Sequence, residues 1–179
     1  MSWNLPIGNT PLENKRIYLS GPIQHGNETE NWRTEPIDRL KKDFKLDVFD
    51  PYQDPKQQWA IDLRKAQQNK NYKEMRKIAK KFVRKDLATV DHAHFIIAYV
   101  PYKIPTFGVT HEIICSNNNK KPTLIICPEG KELIPLWFYG FVKPKYMFGS
   151  WEDLYLYLSE VDQGKHKKDD RWSIVYGLI

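Results

Sequence analysis

At 179 residues with a hydrophobic fraction of 41%, the chain fits one globular domain spanning 1–179, and no apolar run nears the ~20 residues that cross a bilayer. The net charge of +6 is local, because residues 64–85 hold ten of the 28 Lys and Arg and a single acid, Glu74. The start, Met1-Ser-Trp-Asn-Leu-Pro, has no basic region followed by an apolar stretch, and Cys115 and Cys127 suggest neither a disulfide framework nor a metal site, so a cytoplasmic protein is expected.

The first strand is read at Arg16-Ile-Tyr-Leu-Ser20, stopped by Gly21-Pro22. A loop through Gln24-His-Gly26 leads to a helix over about 28–43, anchored by Trp32, Ile37 and Leu40. A short strand at Leu46-Asp-Val-Phe49 ends at Asp50-Pro51. Residues 51–70, with Trp59, Ile61 and Leu63 as their only large apolar groups, read as a loop or lid holding a short helix. A longer helix follows from about Tyr72 to Val90, with a buried stripe of Ala79, Phe82, Val83 and Val90.

The continuous apolar run His94-Phe-Ile-Ile-Ala-Tyr-Val100 predicts a central strand buried on both faces. Past Gly108 a helix runs toward Asn117-Asn-Asn119. Strands follow at 122–127 and near Lys145-Tyr-Met-Phe148, then a helix over 151–161. The apolar end, Trp172-Ser-Ile-Val-Tyr-Gly-Leu-Ile179, reads as an edge strand. Strands alternating with helices predict an α/β fold: a parallel sheet of about five strands flanked by helices. Ligands bind such sheets at the carboxyl ends of the strands, which gathers Gly21, Asp50 and Glu112 around one cleft.

Two carboxylates stand out. Asp86 falls within the apolar stripe of its helix, where an acid is costly unless it is paired, hydrogen-bonded or open to a cleft; Arg84, Lys85 or a backbone amide would serve as partner. Glu112, four residues after Gly108, is expected in the first turn of its helix. There the dipole favours the ionised form of a nucleophile, and equally of a plain structural acid. Gly108 lets backbone approach a ligand, and Thr106 offers a hydroxyl. Tyr18 is either core packing or a group that holds a carboxylate through its hydroxyl. Gly21-Pro22-Ile23 is a tight turn of a kind that admits a phosphate or sugar. There is no P-loop, nucleophile elbow or metal-ligand spacing.

Taken together, Ile17-Tyr-Leu-Ser-Gly-Pro22, Arg84-Lys-Asp-Leu87, Asp91-His-Ala-His-Phe-Ile-Ile-Ala98, Pro105-Thr-Phe-Gly-Val-Thr-His-Glu112 and Lys121-Pro-Thr-Leu-Ile125 resemble the nucleoside 2-deoxyribosyltransferase family. That family includes the 2'-deoxynucleoside 5'-monophosphate N-glycosidases. The resemblance covers roughly 16–127 and implies a flavodoxin-like fold, no cofactor, and a homo-oligomer whose subunits share active sites. It implies Glu112 as the nucleophile on the sugar C1', Asp86 as the acid assisting cleavage and Tyr18 as the group orienting the nucleophile. Ser20, Gly21, Pro22, Ile23, His25, Asp50, Thr106 and Gly108 would line the nucleoside or nucleotide site, and Tyr176 would reach a neighbouring one.

One departure bears on substrate. The transferases of this family commonly carry an aspartate where this chain has Thr106, and a hydroxyl there resembles the monophosphate hydrolases, since an acid would repel a 5'-phosphate. Against this, those hydrolases offer an arginine where this chain has Gln24. Three other readings stand beside this one: an NAD-type glycohydrolase, a nucleic-acid-binding module acting through the basic segment 64–85, and a catalytically silent nucleotide sensor.

Overall fold

Five apolar segments become the strands of one sheet. In the computed structural model, which describes residues 10–23, 32–54 and 57–178, these are β1 (Arg16–Ser20), β2 (Asp47–Phe49), β3 (Phe95–Tyr99), β4 (Thr123–Ile126) and β5 (Met147–Phe148). They are parallel throughout and lie in the order β2-β1-β3-β4-β5. This is the flavodoxin-like order, with the point where strand order reverses falling between β1 and β3. Ile17, Leu19, Phe95, Ile96, Leu124 and Ile125 have no exposed surface, as expected of strands covered on both faces.

The helices are α1 (Thr34–Phe44), α2 (Gln57–Gln68), α3 (Tyr72–His92), α4 (Phe107–Asn118), α5 (Leu136–Tyr139) and α6 (Trp151–Asp162). Asn71 caps α3 by accepting from the Glu74 amide, and Ser150 caps α6 by accepting from the Asp153 amide, each satisfying a donor that the first turn leaves open. Among the described residues no helix is long and apolar enough to cross a membrane.

Several expectations change. Helix α1 starts at Thr34, and Trp32 and Arg33 precede it in a turn. The stretch 51–70 is more ordered than a lid: after a 3-10 turn at Pro51–Gln53 comes the full helix α2. Trp59, Leu63 and Ala66 recur at helical spacing, with Ala66 buried; a reading that counted only large apolar groups passed over the alanine. Trp59 packs edge-on against Phe82 of α3 at 5.6 Å between centroids. Val83, assigned to the buried stripe of α3, is exposed, and the buried positions there are Ile78 and Val90.

The C-terminal segment is not an edge strand. It forms a 3-10 turn at Asp170–Trp172 and further turns. Its apolar character is used in a plug: Trp172 is fully buried against Phe95 and donates from Nε1 to the Tyr157 hydroxyl at 2.9 Å. Asp169 fastens the segment by accepting from Lys145 at 2.5 Å and Tyr146 at 2.6 Å. Tyr176 donates to the carbonyl of Val161 at 2.7 Å, so within this chain its hydroxyl is bound to α6.

Candidate active site

The carboxyl ends of β1 and β3, on either side of the reversal point, carry the cluster around Glu112. Alternation along β1 points Tyr18 and Ser20 to the same face, the face on which α4 lies. The Tyr18 hydroxyl donates to Oε1 of Glu112 at 2.8 Å, and the Ser20 hydroxyl donates to Oε2. Both carboxylate oxygens are thereby bound, and Glu112 is buried, with 9% of its surface exposed. Burial, followed by the adjoining Glu112 carboxylate, pushes the Tyr18 phenol well above its ordinary range. The phenol keeps its proton and acts as a donor that aims the carboxylate.

Glu112 is not in the first turn of α4. Phe107 opens that helix and its first turn holds no acid, so Glu112 lies one turn further in. Its environment is set more by Tyr18 and Ser20 than by the helix terminus, whose field fades within a turn.

A second layer lies behind the first. The Arg33 guanidinium is 3% exposed. It donates to Asp50 Oδ1 at 2.8 Å, to the Gly21 carbonyl at 3.0 Å and to the Leu19 carbonyl at 3.3 Å. Its plane lies over the Trp32 ring at 4.3 Å. Burial lowers its pKa, while Asp50, Tyr18 and Glu112 oppose that shift, and a guanidinium stays charged under such conditions. Asp50 also accepts from the Tyr52 amide at 2.9 Å. Asp50 therefore serves Arg33 and the turn after β2.

Trp32 stacks on Tyr99 at 4.1 Å, with Trp151 6.0 Å from Trp32 and 6.2 Å from Tyr99. These half-buried rings come from the segment before α1, the end of β3 and the start of α6. A Cβ at Gly21 would run into the Trp32 ring at Cζ2, so the indole favours glycine there. Gly108 differs: it is exposed, and a Cβ there would meet nothing within 4 Å.

Of the residues expected in the site, Tyr18, Ser20 and Glu112 are joined by hydrogen bonds, and Gly21 and Pro22 continue from Ser20 as buried backbone. Ile23 is half-buried. Asp50 joins the cluster through Arg33. Thr106 is half-buried at the entry to α4, its carbonyl accepting from the Thr110 amide at 2.8 Å and hydroxyl at 3.0 Å. His25 lies outside the described residues, as does Gln24. Asp86 is half-buried on α3, four residues after the half-buried Phe82 and four before the buried Val90, so it lies on the row expected of it, and of that stripe only Val83 is exposed. Sequence reasoning missed Arg33, Trp32 as a site residue, Tyr99 and Trp151. A weak signal existed: Asp50 ends a strand between Phe49 and Pro51 with no Lys or Arg within four positions, and such an acid, once buried, needs a partner from elsewhere.

The basic segment 64–85 lies on α2 and α3, with Arg64, Lys73, Arg76, Lys77, Lys80, Lys81 and Arg84 exposed. Lys85 is engaged, donating to Asp54 at 2.6 Å. Among the described residues no group of three or more His, Cys, Asp or Glu is arranged to hold a metal ion.

Comparison with known proteins gives a likeness of fold. No protein-family model matches the chain, and no curated protein matches it by sequence. Among solved structures, a 2-deoxyribosyltransferase from the psychrotolerant bacterium Bacillus psychrosaccharolyticus is similar, with a TM-score of 0.54 and 16% identity. The match covers 78% of this chain and 89% of that one.

Proposed function

We propose that the chain cleaves the N-glycosidic bond of a 2'-deoxyribonucleoside or its 5'-monophosphate, with Glu112 as the nucleophile. The observation that carries this reading is the buried Glu112 carboxylate, gripped on both oxygens by Tyr18 and Ser20 at the point where an α/β sheet binds its ligands. The likeness of the fold to a 2-deoxyribosyltransferase supports the choice of substrate class.

In the proposed reaction a Glu112 oxygen bonds to the sugar C1' as the bond to the base breaks. The bonding pair leaves with the base nitrogen, and Asp86 is proposed as the acid that protonates the departing base. Water or a second nucleobase then attacks C1', passing its proton to the Asp86 carboxylate left by the first step, and the C1'–Glu112 bond breaks, restoring the Glu112 carboxylate. Tyr18 and Ser20 fix the carboxylate so that it enters the reaction in one orientation. The first turn of α4 carries no acid, and Thr106 precedes it, so nothing there repels a 5'-phosphate.

The test is product chromatography after incubation with each deoxynucleoside and each deoxynucleoside monophosphate, with and without a second free base. Free base and deoxyribose (or its 5-phosphate) mean hydrolysis, and a new nucleoside means transfer. Release of base from none of these substrates would overturn the reading.

A further inference from the structure

Strand β1 outlasts its neighbour on one side. Its pairing with β2 ends at Tyr18 opposite Phe49, while its pairing with β3 continues to Ser20 opposite Ala98. Beyond the end of β2, the Leu19 and Gly21 carbonyls face a buried space where, among the described residues, no strand supplies donors, and buried carbonyls need them. Arg33 fills that space. It donates to the carbonyls on either side of Ser20, at 3.3 Å to Leu19 and 3.0 Å to Gly21, while the Ser20 side chain reaches Glu112. One residue of β1 is thus held on its backbone side by a cation and holds the carboxylate with its side chain.

From this geometry, and resting on the reading of Glu112 as nucleophile, we infer that Arg33 is a positioning residue: it fixes Ser20 against Glu112 and holds a positive charge behind that carboxylate, which Asp50 partly offsets. The Arg33–Asp50 pair is costly as a mere stabiliser. Both partners are more than nine-tenths buried, and neither Arg33 Nε nor Asp50 Oδ2 has a hydrogen-bond partner among the described residues. Buried pairs left partly unsatisfied contribute little net stability. The electrostatic coupling of Arg33 to both Tyr18 and Glu112 gives the field a direct route.

Among the described residues, the titratable groups bearing on Glu112 include Tyr18 from β1, Arg33 ahead of α1 and Cys115 further along α4. Asp50 and Tyr52 act on Arg33 from the segment after β2, and α3, packed on α4, supplies the half-buried Asp86.

The test reads Glu112 itself, by carbon-13 NMR titration of glutamate-labelled protein, with Glu112→Gln to assign the signal. Arg33→Gln removes the cation, and the Glu112 midpoint moves to higher pH. Asp50→Asn keeps Arg33 and its carbonyl bonds but removes the opposing charge, and the midpoint moves to lower pH. A purely structural pair would not produce opposite shifts. If Arg33→Gln does not fold, Asp50→Asn decides alone: a downward shift supports the inference, and no shift or an upward one overturns it. Arg33→Lys keeps the charge but not the planar fork; it should leave the midpoint near wild type and lower kcat by roughly 10²-fold with KM little changed. If the wild-type protein released no base, the reaction reading would fail, yet the titration would still decide the role of Arg33.

Discussion

The Tyr18 hydroxyl meets Oε1 of Glu112 at 2.8 Å, tying the first strand to the helix after the third across the reversal point of the sheet. Tyr18 is fully buried and stacks on Phe49 at 5.7 Å between centroids, so its ring has little freedom to swing away. Tyr18→Phe keeps that packing and removes one donor. Base release should fall by roughly 10²-fold in kcat with KM little altered, read by steady-state kinetics. Stability should fall by about 1.5–3 kcal/mol, the range for a hydrogen bond to a charged group.

The two glycines of the site should separate cleanly. At Gly21 a methyl would press into the Trp32 ring, and Gly21→Ala should cost about 1–3 kcal/mol through overpacking, seen as a lower urea midpoint. At Gly108 a methyl meets open space. Gly108→Ala should leave the midpoint unchanged or slightly raised and should raise KM, because the methyl intrudes where substrate would approach the start of α4.

The outline of the fold was legible because its apolar runs are unambiguous: β1 was placed at its observed bounds, and β3, β4 and α6 within a residue or two at each end. What failed depended on tertiary partners. Nothing local distinguishes Arg33 from a surface residue of an amphipathic helix; only the early end of β2 and the distant Asp50 give it a buried role. Trp172 read as part of a strand because its apolar neighbours fit one, whereas its place is decided by Phe95 and Tyr157. Tyr18 and Glu112 were singled out as chemistry-bearing residues from their positions along the chain, but their bond spans 94 positions and is a property of the folded sheet.

Trp172 provides a test of the C-terminal plug. It has no exposed surface and its indole donates to Tyr157. Trp172→Ala should cost about 3–5 kcal/mol, measured by denaturant unfolding. A loss below about 1 kcal/mol would show that the segment does not belong to the core.

Acid should destabilise the chain through His94, at the opposite end of the strands. Its Nδ1 accepts from the Arg16 amide at 3.0 Å, which requires a neutral ring. Burial, followed by the Lys15 charge, pushes its pKa below the ordinary value, with Lys121 and Arg16 adding to the effect. The unfolded chain therefore binds this proton more readily than the folded one. The contribution is complete above about pH 6.5, the unfolded value for histidine, and is lost as pH falls through the folded pKa. In His94→Gln the urea midpoint should depend less on pH below about 6.5 than in wild type.

Catalysis is proposed to rest on Glu112. The most direct measurement is base release from the 2'-deoxynucleosides and their 5'-monophosphates by wild-type protein and by Glu112→Ala, with circular dichroism confirming that the variant is folded. The wild type should release base, and Glu112→Ala should fall to the rate without enzyme. Undiminished release by a folded Glu112→Ala protein would contradict that role.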